Sequence, residues 1–180
     1  MPQQSWIVKL PVIGRFAVVR DQGGEAQGFP GGMQFYTELI AVHMRDGTVL
    51  GHKRLGSGLV TTMGVNRMGA DWTNATATLK AANFHDSGTG AVAAATSDTT
   101  LGGQVGSTTR ATGTQSNIAN AYKTIGTVNY TGSFTITEWG LFDQSAQGGT
   151  LWDRKTFGAI IVASADAIVF TYTLTCSAGG

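Results

Sequence analysis

The sequence predicts a mainly β protein: an antiparallel β-sandwich, jelly-roll-like, with an extended N-terminal arm and one or two short helices. Three observations predict it. In the last strand-like run, Ile168, Phe170, Tyr172, Leu174 and Cys176 fall on one side while Val169, Thr171, Thr173 and Thr175 fall on the other. That period of two is the pattern of a half-buried antiparallel strand. Turn residues at Gly132, Gly148-Gly149 and Ser164-Ala165-Asp166 divide the C-terminal half at sandwich-like spacing. Strand-like runs also succeed one another without helices between them, which argues against a parallel α/β sheet.

Taken in order, residues 1–32 read as an extended arm. Trp6–Pro11 and Gly14–Val19 are β-type runs, and Pro11 confines the first to an edge. Residues 33–83 read as a mixed α/β connecting segment. In Met33–Met44 the apolar residues Met33, Tyr36, Ile40 and Met44 approach helical spacing, and Asp46-Gly47 ends the run. Leu59–Met68 is a candidate second helix, opposed by Gly64 and its β-branched residues. Residues 84–180 read as the sandwich core, with Thr124–Tyr130, Ser133–Glu138 and the final strand as its clearest members. Between Ser87 and Thr109 small residues dominate, the only charge is Asp98, and the expectation is loop and turn.

Composition narrows the function classes. The chain has 180 residues, enough for one domain with its own core, and charged residues make up only 13% against an ordinary share of about a quarter. Glycines number 26, and threonine is nearly as abundant. Apolar residues reach 42%, so this is not the composition of a disordered chain. A net charge of +1 lacks the basic excess that neutralises phosphates, so no nucleic-acid partner is expected. The one cluster, His52-Lys53-Arg54, reads as a solvated turn. The apolar start is interrupted by Lys9, Pro11 and Arg15, so neither a secretory leader nor a membrane span is expected. Cys176 is the only cysteine, which excludes an intrachain disulfide.

Candidate chemistry is thin. Asp86-Ser87-Gly88-Thr89 has the letters of the Asp-Thr/Ser-Gly-Thr loop of aspartic proteases, where two carboxylates share a proton. His85 replaces the usual apolar neighbour, however, and a polar turn accounts for the same residues. His85, Asp86 and Ser87 also hold the letters of a serine triad, but adjacent side chains point in different directions. His43, His52 and His85 lack metal-ligand spacing. The expectation is no catalytic residue, no metal and no cofactor.

One resemblance spans about residues 84–176. Phe84–Gly90, Ser97-Asp-Thr-Thr-Leu101, Arg110–Thr114, Ile136-Thr-Glu-Trp-Gly-Leu-Phe-Asp143, Gly148–Arg154 and Val169–Thr175, in that order, resemble a set of tailed-bacteriophage virion structural proteins. The resemblance implies a non-enzymatic β-sandwich subunit, of the capsid decoration (cement) type or of the tail, adaptor or fibre. In the first reading it binds the outer capsid surface, with the major capsid protein and copies of itself as partners. Family analogy suggests a trimer, made in the host cytoplasm and located on the virion. Trp6, Ile7, Phe16 and Phe29 on the arm are the candidate interface residues, because they are more apolar than a free tail should expose. Within the motif, Ile136, Leu141 and Phe142 are expected to anchor the sheet. Gly140 is expected to permit a bulge, and Glu138 to serve as a hydrogen-bonding group.

Overall fold

Alternation is what the backbone obeys. In the computed structural model, which describes residues 34–73, 81–105 and 109–177, ten strands and one helix succeed one another in chain order. They are β1 (Gln34–Arg45), β2 (Thr48–Gly56), β3 (Leu59–Val60), α1 (Thr62–Thr73), β4 (Phe84–Gly88) and β5 (Ala111–Thr112). Then come β6 (Thr114–Ile118), β7 (Ala121–Asn129), β8 (Phe134–Phe142), β9 (Leu151–Val162) and β10 (Asp166–Ser177). Residues Tyr36–Thr175 form one compact unit.

Two antiparallel sheets of five strands result, in the orders β2-β1-β10-β7-β6 and β3-β9-β8-β4-β5. Their facing sides enclose the core, so the architecture is the predicted sandwich. From the first sheet come Leu39, Val128, Ile168, Phe170 and Tyr172; from the second come Ile136, Trp139, Leu141 and Val162. Trp139 lies at the junction, fully buried, stacked on Tyr172 at 5.4 Å and tilted against Phe170 at 6.3 Å. Burying each large side chain contributes about 1.5–3 kcal/mol, as an upper figure. Ile168 and Phe170 on β10 are fully buried, as their alternation predicts.

A second, smaller cluster of Leu101, Phe142 and Leu151 packs with Phe84. Gly140 belongs here, and its role differs from the one expected. Register irregularities fall between Ile136 and Glu138 and between Leu141 and Phe142, not at Gly140, which pairs regularly with Asp86 and Arg154. A side chain at Gly140 would collide with Leu101, Leu151 and Phe142. The first irregularity has its own consequence. Ile136 and Trp139, three residues apart, both reach the main core, while Glu138 between them turns to another set of partners.

The helix expected over Met33–Met44 is strand from Gln34 onward. Asp46 and Gly47, with φ of 48° and 76°, form a two-residue hairpin turn of the primed kind that joins β1 to β2. The Asp-Gly pair therefore continues the sheet instead of ending a helix, and β1 carries Leu39 and Ala41 into the core at a spacing of two. His52-Lys53-Arg54 accordingly lie on an exposed strand and not in a turn. The sandwich is thus not confined to residues 84–180, since β1 and β2 supply two strands of the first sheet. The arm, with Trp6, Ile7, Phe16 and Phe29, lies outside the described residues.

The other helix exists but starts later, at Thr62, and it is the only one among the described residues. Buried Thr61 caps it: its Oγ1 accepts the Gly64 amide at 3.1 Å, and its own amide donates to the Trp152 carbonyl at 2.9 Å. Gly64, unfavourable to a helix by propensity, is what lets α1 approach β9. A Cβ there would stand 2.7 Å from the Trp152 carbonyl oxygen.

Two helix glycines give a matched test. Gly64→Ala should cost about 1–3 kcal/mol, because α1 must lift from the β9 backbone. At Gly69 a Cβ meets nothing within 4 Å, so Gly69→Ala should stabilise by about 0.4–1 kcal/mol through the unfolded chain. Urea denaturation of the two variants should move the midpoint in opposite directions.

Candidate functional site: a buried polar network

Four polar groups singled out by the sequence, His85, Asp86, Ser87 and Glu138, lie inside the protein. The chain has 11 acidic residues, and among the described ones five are buried: Asp71, Asp86, Glu138, Asp153 and Asp166. Each has a different set of surroundings.

Glu138, on β8, is fully buried and receives five hydrogen bonds. The amides of Gly90 and Gly103 donate to Oε1 at 2.9 and 2.7 Å, and the Gly102 amide to Oε2 at 3.0 Å. The Arg154 guanidinium, across the ladder on β9, donates to Oε2 through Nε at 3.0 Å and Nη2 at 2.6 Å. Burial alone would push the pKa up; the glycine amides and Arg154 outweigh it and hold the carboxyl below its ordinary value. Arg154 also donates to Asp98 at 2.7 Å and to the Val92 carbonyl at 3.2 Å, and Asp98 accepts the Ala95 amide at 2.8 Å. The loop between β4 and residue 105 is thereby wrapped around one ion pair. Its glycines are required for space: a side chain on Gly88 or Gly90 would occupy the volume of the Glu138 carboxylate.

His85 and Asp86 are neighbours on β4 and go to separate surroundings. His85 is fully buried between the sheets. Its Nδ1 accepts the Trp139 indole N–H at 3.1 Å, so the neutral ring carries its proton on Nε2, which donates to Thr124 Oγ1 at 3.1 Å. Side chains at Gly113 or Gly126 would overlap this ring or its partner. Burial pushes the imidazole down to about 3. Asp86 accepts the Ser87 amide at 2.8 Å and the Gln104 side-chain amide, with the Arg110 Nε at 3.4 Å. Burial dominates and moves its pKa up to about 6. Arg110 in turn donates to the carbonyls of Gln144, Ala146 and Gly148 and lies 3.5 Å over the Phe142 ring. Ser87 shares a hydrogen bond of 2.8 Å with Tyr130.

The letters of a triad are therefore not brought together. The ring nitrogen that would meet Asp86 faces Trp139, and Ser87 faces Tyr130. Nor does Asp86 offer a carboxylate to solvent, since it is only 4% exposed. His43 pairs with Asp166 at 2.8 Å, beside Arg45 and the Ala163 amide, and the Arg45 hydrogen bonds hold Asp166 far below the carboxylate range. His52 stands exposed on β2. Among the described residues no group of three or more His, Cys, Asp or Glu side chains is placed to hold a metal ion.

A pocket of about 240 Å³ opens beside β1, β2 and β9, lined by Ala41, His43, Gly51, His52, Lys53, Ala159 and Ile160. It contains no carboxylate, and Lys53 is engaged by the Gly158 carbonyl at 2.6 Å. Large apolar side chains stand on the outside instead: Ile161 is 75% exposed, Val92 78% and Ile118 65%. Among the described residues no helix is long and apolar enough to cross a membrane.

Sequence reasoning finds Glu138 and Asp86 but misses Arg154, Arg110 and Asp166. The available signal is scarcity: in so charge-poor a chain, an Arg within a motif is a candidate for internal pairing. No protein-family model, curated protein or solved structure matches this chain.

Removing one partner of a buried ion pair leaves the other uncompensated, so Glu138→Ala should cost about 3–5 kcal/mol. Hydrogen exchange should accelerate first at the amides of Gly90, Gly102 and Gly103. The pH dependence has a definite sign. A carboxyl with a depressed folded pKa stabilises above its unfolded value, 4.5, and loses that contribution as pH falls. The stability gap between wild type and Glu138→Gln, read from urea midpoints, should therefore narrow below about that pH.

Proposed function

We propose that this chain is a non-enzymatic structural subunit of a tailed-bacteriophage virion, of the capsid decoration type. On this reading it binds the outer capsid surface and stabilises contacts between capsomers. One observation carries it. The motif residues on which the resemblance rests are the same ones that interlock inside the fold: Asp86, Gly90, Asp98, Arg110, Glu138 and Arg154. The motif is a scaffold, not a reaction centre. What such a scaffold offers to other molecules is its surface, poor in charge and carrying exposed Ile161, Val92 and Ile118. Partners recognised there are proteins, the major capsid protein and further copies of this chain, through apolar contact and backbone hydrogen bonds. The head location is favoured over the tail by the same surface, because low charge suits dense packing among many neighbours.

The test is location and stoichiometry. Purified phage particles labelled for this chain should carry it over the whole head, with copies scaling with the capsomers. A few copies confined to one vertex would move it to the tail or adaptor. Adding the recombinant chain to particles lacking it should raise the temperature at which they release DNA. An aspartic-protease role makes the contrary prediction: Asp86→Asn would abolish a measurable peptide hydrolysis while leaving the circular dichroism spectrum unchanged.

A further inference from the structure

Of the five buried acids among the described residues, Asp71, Asp86, Glu138 and Asp166 each stand within 4 Å of a basic side chain, and one does not. Asp153, on β9, is fully buried, and neither carboxyl oxygen makes a hydrogen bond of ordinary geometry. Its position is set by its neighbours: it pairs with Leu141 of β8 on one side and with Val60 of β3 on the other. The carboxyl group occupies the place a side chain at Gly58 would take, within 2.8 Å of where its Cβ would stand. Among the described residues no cluster of His, Cys, Asp or Glu joins it to hold a metal ion. A proton neutralises it without any further partner.

We propose that Asp153 is a proton-binding site that couples pH to the docking of β3 and α1 on β9. The segment lies closed over the neutral acid and loosens when the proton leaves. What holds it down is short. Two ladder positions join β3 to β9, Thr61 donates to the Trp152 and Leu151 carbonyls, and the Thr62 amide donates to the Thr96 carbonyl at 2.8 Å. Gly58, immediately before β3, is anchored by its amide to Thr37 Oγ1 at 3.0 Å. An ionised Asp153 gains water only if Gly58 and β3 move away, and these few contacts are what that movement breaks.

The surrounding charges do not rescue the carboxylate. Burial is the largest influence and moves the pKa up to about 7, against the pull of the Tyr172 hydroxyl, the Lys155 ammonium and the amides of Leu59 and Arg154. Arg154 gives its guanidinium to Glu138 and Asp98. β3 carries no titratable side chain. On α1 the charged pair Arg67 and Asp71 interact with each other, at 3.3 Å. A carboxyl whose folded pKa lies above its unfolded value, 3.8, stabilises the closed form at low pH and loses that contribution as pH rises to about 7.

Hydrogen exchange at residues 58–68, corrected for the intrinsic rate, tests this on the intact chain. In wild type the opening constant should grow by up to about tenfold per pH unit between about 4 and 7, while the β7–β10 ladder stays protected. In Asp153→Asn it should stay flat across the same range. An equal pH response in both proteins, or a response spread evenly over the whole sandwich, overturns the proposal. Should Asp153→Asn fail to fold, the wild-type carboxyl carbon resonance of Asp153 decides. A midpoint near 7 that tracks the exchange supports the coupling, and a midpoint near 4 ends it.

Discussion

The carboxylate of Glu138 is the constraint on which most of the second sheet's surroundings depend. It sits where water cannot reach it, so its charge must be met entirely by protein. Arg154 neutralises it from the neighbouring strand, but a bare pair in the interior does not by itself recover the desolvation cost. Three glycine amides supply the rest, and they come from a loop with little regular structure of its own. Ion pair and loop therefore stabilise each other: the loop takes its shape from the carboxylate, and the carboxylate keeps its charge because of the loop. Leu101, carried beside Gly102, joins the second hydrophobic cluster in consequence.

That arrangement accounts for the composition. A chain with few charges would ordinarily keep them all in water for solubility. Here five acids and two arginines, Arg110 and Arg154, are indoors, and the outer faces mix a few charges with threonine, serine, glutamine and scattered aliphatics. The buried charges specify the interior, and fewer remain for the surface, where Lys53 and Arg54 stand exposed. Such a division of labour is what the proposed role as a virion subunit requires.

How much of this is legible in the sequence depends on range. The β10 alternation and the turns around Gly148-Gly149 and Ala165 are local, and they read directly; Ala165 and both glycines adopt the positive φ that such turns need. Met33–Met44 misleads because apolar residues near a spacing of four also occur in a strand when its outer face is partly covered. Asp46-Gly47 has the letters of a helix stop and of a hairpin turn alike, and only the partner strand β2 separates the two. Contacts across the chain leave no local trace. Arg154 meets Glu138 from 16 residues away and Asp98 from 56, and nothing in either neighbourhood names the other. The glycines of Gly88-Thr89-Gly90 are visible as a turn. Their stricter reason, room for the carboxylate of a distant strand, is not.

The buried acids finally show that burial alone does not set a charge state. Glu138 and Asp153 are both fully buried, on neighbouring strands, yet five hydrogen bonds outweigh burial at the first, while at the second burial outweighs the pull of Tyr172, Lys155 and two backbone amides and raises the pKa to about 7. Asp86, with two donors and a more distant arginine, falls between them at about 6. The balance of donors against burial, tipped by three glycine amides and an arginine in one place and by burial in the other, decides which acid is a fixed girder and which can exchange a proton. A sandwich built this way holds its loop at the middle of the β8–β9 ladder and carries its responsive element beside it. Both properties come from where the chain places glycine against carboxylate: at Gly90 the backbone offers its N–H, and at Gly58 it offers only carbon.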